Sequence, residues 1–153
     1  MVTLIPAIVA EVLERDLQTL EKEIKAFKEE KHLWQITGDI KNSAGNLTLH
    51  LCGNLQHFIG AILGHSGYIR NRDAEFATKD VSRDKLLAEI EQTRKAVKHA
   101  LETFDDKELD KDYPFALGGK TSSKAFFLVH LVSHFNYHLG QINYLRRVLE
   151  PTA

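Results

Sequence analysis

The segment "HLVSHFNYHLGQ", residues 130–141, spaces His130, His134 and His138 at intervals of four within a largely apolar run. In a helix that interval is close to one turn, so imidazoles at i and i+4 leave one side of the rod about 6 Å apart. Phe127, Leu131, His134, His138, Ile142, Leu145 and Val148 follow one another in steps of three and four. That series defines an inward stripe containing His134 and His138, with His130 beside it. His130 and His138 stand about 12 Å apart along the axis at 1.5 Å per residue, too far to share an ion comfortably.

Three further segments carry the same period. A first helix is expected over about 5–31, with Ile8, Val12, Leu20, Ile24 and Phe27 recurring near helical spacing. A second, over about 44–64, carries Leu47, Leu51, Leu55, Phe58 and Ile62 after the capping residues Asn42 and Ser43, and stops at Gly64 and Gly67. A third begins after Ser82, an N-cap residue followed by Asp84 in the first turn, and shows Leu86, Ile90, Val97, Leu101 and Phe104. The fourth is the histidine-bearing helix itself, which follows "ALGGKTSS" and ends near Leu149, before Pro151. Sustained period-two alternation is absent. The fold class expected is all-α: a four-helix bundle with a long crossover, "HSGYIRNRDAEFATKDVS", between helices two and three.

Composition narrows the function classes. At 153 residues the chain fits one domain with a core of stabilising size. Its 20 basic and 21 acidic side chains leave a formal net charge of −1, which provides no bulk field for nucleic acid or anionic lipid. No stretch reaches eighteen consecutive apolar residues, so no membrane span is expected, and the amino-terminal segment lacks the basic start of a secretory signal. One cysteine, Cys52, permits neither an internal disulfide nor a cysteine-based zinc site, and fits a reducing cytoplasm. It reads as an inert buried thiol, and about 200° of helix separates it from His50.

Two imidazoles rarely hold a metal alone, so a further ligand is expected from helix two, where "HLCGNLQH" offers His50 and His57. Seven residues apart, they share a face at different depths, and periodicity does not choose between them. Two adjacent inward imidazoles would each need a buried partner and would repel if both protonated, which a shared cation resolves. His32, His65 and His99 lie in charged or loop-like stretches and are expected in solvent. Only Glu29 with His32 matches the Glu-x-x-His spacing of a di-iron carboxylate bundle, and no His-Glu-x-x-His motif occurs.

"NSAGNLTLHL" leading into helix two, Trp34 shortly before it, and "HFNYHLGQI" in the last helix resemble the DinB/YfiT-like four-helix bundles, a family distinct from the DNA polymerase that shares the first name. "HLCGNLQHFI" with "YIRNRDAEF" is similar to a bacterial subgroup of it. The resemblance spans most of the chain. It implies a divalent metal, commonly zinc or nickel, held by one histidine of helix two and two of helix four, which carried across by motif are His50, His134 and His138. It also implies a homodimer, and in some relatives transferase or isomerase chemistry with a small thiol. A basic residue frequent in the family is replaced here by Leu139, so an anion-facing role would fall to Arg70 or Arg72. The plainer reading of those arginines is an ion-pair network fastening the crossover.

Three neutral histidines leave a coordination position open, as in catalytic rather than closed structural zinc, for water, a thiol or substrate. The function expected is therefore a divalent-metal-dependent transferase or hydrolase whose nucleophile is recruited; the alternative is a non-enzymatic, metal-stabilised dimeric bundle. No catalytic residue is assigned. Glu75 is the one carboxylate offered as a base, from the crossover, while Asn54, Asn136 and Gln141 are candidates to accept from imidazole N–H groups, and His57 and His130 to line the pocket.

Overall fold

The computed structural model describes residues 4–152. Five α-helices form, four of them long: α1 (Ile5–Ala26), α2 (Ala44–Leu55), the short α3 (Arg72–Ala77), α4 (Arg83–Glu102) and α5 (Lys124–Leu149). No strand occurs among the described residues, only isolated bridges at Asp112–Ser123 and Leu117–Lys120 in the α4–α5 connection. Among the described residues no helix is long and apolar enough to cross a membrane.

Helix starts follow side-chain oxygens that accept from otherwise unpaired N–H groups: Ser43 from Asn46, Asn71 from Ala74, Ser82 from Lys85 and Ser123 from Phe126. Helix α1 instead begins at Ile5 with Pro6 in its first turn, where the missing N–H would have had no partner anyway. It ends at Ala26, short of the expected Lys31, because Phe27 turns extended and residues Glu30–Trp34 form a separate 3-10 turn. Helix α2 passes without a break into a widened π turn, Gln56–Ala61, in which the Ile62 N–H reaches back to the His57 carbonyl.

Helix α1 packs against α4 and α5, and α2 against the same two, so the apolar faces meet in one core. On α1 that face is Val9, Leu13, Leu17, Leu20 and Ile24. Val9 and Leu13 take the inward positions expected of Ile8 and Val12: Ile8 is 53% exposed and Val12 only half-buried. Each fully buried leucine contributes about 1.5–3 kcal/mol, whereas surface pairs such as Arg94 with Glu14 give about 0–1, so packing rather than charge holds the helices together.

Three polar ties refine the assembly. Asp16, buried within the α1 face, accepts from Arg15 at 2.9 Å and from Asn136 of α5 at 2.6 Å. Glu23 accepts from Asn143 at 2.6 Å and Arg146 at 2.8 Å, also of α5. Glu150, just beyond α5, accepts from the backbone N–H groups of Lys28 and Glu29 at 2.8 and 2.9 Å and pairs with His32 at 2.8 Å. His32 is thus an anchored, half-buried partner rather than the solvent-exposed side chain expected; His65 and His99 are exposed.

Burial would push the Glu150 carboxyl upward, but the N–H groups of Glu29 and Lys28, with His32, bring it down to about 2. A depressed carboxyl stabilises the folded chain fully above its unfolded pKa of about 4.3, and the contribution disappears as pH falls through about 2. Glu150→Gln should therefore cost roughly 1 kcal/mol at pH 7, or about 2–4 °C in Tm, and the gap between variant and parent should narrow on acidification below pH 4 in thermal melts.

Candidate metal centre

Helix α2 supplies His50 and helix α5 supplies His134 and His138, and one nitrogen from each lies within 4.8 Å of the others. The Nε2 atoms of His50 and His134 are 3.1 Å apart. That is close to the roughly 3.3 Å separating two ligands in a tetrahedron with bonds of about 2.0–2.1 Å. The ring of His138 stands edge-on to both, 5.2 Å from His50 and 4.7 Å from His134. These three residues form a group that could hold a metal ion.

Hydrogen bonding decides which nitrogens carry protons. His50 Nδ1 lies 3.0 Å from Glu75 Oε1, and Arg70 donates to both oxygens of the same carboxylate at 2.8 Å. Burial alone would raise the Glu75 carboxyl, but the hydrogen bonds from Arg70 and His50 outweigh it and hold the pKa below the ordinary value. An ionised carboxylate only accepts, so His50 Nδ1 carries the proton and Nε2 is left with its lone pair facing His134. His138 repeats the device: its Nδ1 donates to Gln141 Oε1 at 2.7 Å, one turn along α5. His134 has no such partner, and its Nδ1 is buried without a hydrogen bond.

Two of the rings, His134 and His138, are also disfavoured from taking up charge. Burial, then the neighbouring His138 and His50, lower His134 to about 4. Burial lowers His138 as well, against the raising effect of Gln141. Neutral imidazoles with free lone pairs are the form a metal ion binds.

Short-range backbone geometry makes room for the Glu75 contact. A Cβ on Gly53 would lie 2.0 Å from Glu75 Oε2 and 2.7 Å from its Cδ, so only glycine one turn past His50 lets the carboxylate settle against α2. Helix α3 is fastened there by Asn46, which donates to the carbonyls of Glu75 and Thr78 at 2.9 and 2.8 Å. Trp34 packs beside Gly45 of the same helix and donates to the Val81 carbonyl at 3.1 Å.

Several expected roles change. Both oxygens of Glu75 are engaged, so it orients His50 and is no free base over the site. Asn136 serves Asp16 on the far side of α5 and has no place at the imidazoles. His134 and His138 are half-buried at the margin of the α5 stripe, whose centre is Leu128, Leu131, Phe135, Leu139 and Ile142, and Val148 is 58% exposed. His57 and His130 line the adjoining cleft but lie outside the converging group; His57 belongs to the π turn Gln56–Ala61, whereas His50 lies in the regular part of α2. Burial pushes the Cys52 thiol up to about 12, leaving it inert at neutral pH.

A cleft of about 570 Å³ opens onto the three histidines, lined also by Asn54, Phe58, Arg70, Arg72, Phe76 and Phe115. A cleft of about 540 Å³ between α1 and α4 contains no such convergence of ligands.

A family model described as "Protein of unknown function (DUF1572)" matches residues 7–152. No curated protein matches the chain.

Because Gly53 makes space for the partner of His50, Gly53→Ala should weaken the binding of any divalent ion titrated into the three-histidine group about 10–100-fold while helix content by circular dichroism stays at the parent level. Glu75→Gln should move the affinity in the same direction, as measured by competition with a chromophoric chelator. Parent-like affinity in both variants would mean that the carboxylate does not tune His50.

Proposed function

We propose that this chain, which belongs to the DUF1572 family, is a divalent-metal-dependent enzyme of transferase or hydrolase type. In this reading His50, His134 and His138 are the ligands, zinc or nickel the ion, and one coordination position is left for water, a thiol or substrate. The observation that carries it is the convergence of three imidazole nitrogens, two of them with Nδ1 directed to a dedicated oxygen acceptor, at the wall of an open cleft. The resemblance to DinB/YfiT-like proteins adds to it, with the four long helices read as that bundle and the α2–α4 connection as its crossover. The expected small-thiol substrate also rests on that resemblance.

Imidazole donors suit zinc and nickel, and when bound such an ion acts as a Lewis acid and lowers the pKa of a ligated water or thiol. The chain's own residues do the remaining work. Glu75 and Gln141 aim two of the ligands, and Arg70 keeps Glu75 ionised. No carboxylate lines the cleft, so no side chain there is placed to act as an acidic or basic Asp or Glu, which favours a nucleophile brought in from solution. The open cleft favours an exchangeable position over the closed four-ligand shell of a structural site, the alternative role.

The homodimer expected from the resemblance finds support on the outer side of α5. Phe126, Val129, Tyr137, Tyr144 and Val148 are all more than half exposed, and they follow one another, through Ser133 and Gly140, in steps of three and four over about 33 Å. A stripe without charge and with small residues at two steps allows two copies to approach closely.

Elemental analysis of purified protein tests the ligand set. Near-stoichiometric zinc or nickel is expected in the parent and in His57→Ala and His130→Ala, and loss of it in His50→Ala, His134→Ala and His138→Ala. Equal loss in His57→Ala would overturn the assignment on α2. Sedimentation of Val129→Glu, on the same stripe but away from the imidazoles that would hold the ion, should give monomer where the parent gives dimer, with metal content unchanged.

A further inference from the structure

The cleft beside the imidazoles has an uneven chemistry. Its polar lining is basic or neutral: Arg70, Arg72, His57, His130 and two asparagines, with no Asp or Glu. Arg70 is committed, since its guanidinium donates to both oxygens of Glu75. Arg72 makes no ion pair among the described residues. Its guanidinium lies over the Phe76 ring, 5.2 Å from the centroid, at the exposed start of α3. Phe76 in turn rests against the His50 ring at 4.8 Å. An unpaired arginine is therefore held one aromatic ring away from the candidate metal ligands.

The apolar lining comes mainly from another part of the chain. Phe115, in the α4–α5 connection, is 46% exposed and packs at 5.2 Å on Phe58, which packs at 5.2 Å on Phe127. The buried rings of Phe58 and Phe127 support Phe115 from behind and leave about half of it open to the cleft. Between the two regions, Asn54 is only 7% exposed, lines the cleft one turn beyond His50, and its Oδ1 has no hydrogen-bond partner. A buried amide without a partner is costly, and a ligand's N–H or O–H would satisfy it.

Resting on the metal-enzyme reading above, we propose that this cleft binds a small organic anion with an aromatic or similarly flat apolar body. The charged group sits on Arg72, the body lies against Phe115, and a polar substituent reaches Asn54, which brings the reacting end to the three imidazoles. The volume of about 570 Å³ is that of a small-molecule site. Field lines from Arg72 and a bound cation, with Glu75 already paired to Arg70 and no acid in the cleft lining, select against cationic ligands and give anions the larger share of recognition. An exposed ring supported by two buried ones gives the body a preformed surface at little cost in ordering. Arg72 and Phe115 act in specificity and binding; neither is a metal ligand.

The probes are 4-phenylbutanoate, its uncharged isostere 4-phenylbutanamide, and butanoate, titrated calorimetrically into purified protein whose metal content is measured on the same sample. The phenyl carboxylate should bind at least about tenfold more tightly than the amide or butanoate. Arg72→Gln should remove the difference between acid and amide while metal content stays at the parent level. Phe115→Ala should weaken acid and amide alike, by about fivefold or more, again without loss of metal. Equal binding of acid and amide to the parent, no binding of any probe, or an unaltered preference in Arg72→Gln would overturn the proposal. So would a preference that survives Arg72→Gln and disappears in His134→Ala, because the carboxylate would then be sitting on the ion. If the parent holds no metal, the metal-enzyme reading fails separately, and the acid–amide comparison in Arg72→Gln still decides the anion site.

Discussion

A neutral imidazole has one lone pair, and whatever accepts from its other nitrogen decides where that lone pair points. The site depends on this constraint at His50. Glu75, kept ionised by two donors from Arg70, accepts a hydrogen bond from the Nδ1–H of His50 and turns Nε2 toward α5. The contact reaches well outside the site. It needs a helix, α3, to bring an acid back onto α2; it needs Asn46 to hold that helix's carbonyls; and it needs Gly53, because any Cβ there would occupy the space of the carboxylate. Loss of charge on Glu75 would remove the acceptor that fixes the tautomer, whereas loss of Arg70 would leave a buried carboxylate short of donors, so the three residues behave as one unit.

Helix α5 meets a second demand, that His134 and His138 arrive at the height of His50. Its register is set from the opposite side. Asp16 and Glu23 of α1 grip Asn136, Asn143 and Arg146, while Glu150 closes over the backbone after α1. These polar ties lie on one flank of α5 and the histidines on another, with Leu131, Phe135, Leu139 and Ile142 between them. Apolar packing sets how closely the helices approach but tolerates sliding. Directional bonds to Asp16 and Glu23 specify the axial position, which is the quantity a shared ligand set requires.

How much was legible depended on how local the cause was. Ser82 as a cap, the end of α5 near Leu149 and the i, i+3 pair His138–Gln141 are read from a few neighbouring residues, and they appear where expected. The resemblance to DinB/YfiT-like proteins, rather than spacing, singled out His50 from His57, and His50 is the one that meets α5. What escaped was set by tertiary structure. Six residues are too few for α3 to show a period; Ile8 and Val12 keep helical spacing as well as Val9 and Leu13 do; and the partner of His32 lies 118 residues away. Glu75 was recognisable as a carboxylate near the site, but its role follows from Gly53 and Arg70, which no periodicity connects to it.

His134 is the ring without an acceptor, and this asymmetry bears on how the site would work. His50 and His138 are held from behind, so their orientation survives loss of an ion. His134 is held by packing, and its Nδ1 faces no partner in a place where burial already brings its pKa to about 4. A buried donor or acceptor left unpaired is a standing cost, and the contact between His134 Nε2 and His50 Nε2 does not relieve it at Nδ1; that contact is itself a hydrogen bond only if one of the two Nε2 atoms gives up its role as a free lone pair. A cation between the two nitrogens removes that conflict, since both then serve as donors of lone pairs to the same centre. An ion held by the three imidazoles would therefore matter most at the ring the chain orients least, and His134 is where occupancy and local stability would be most tightly coupled.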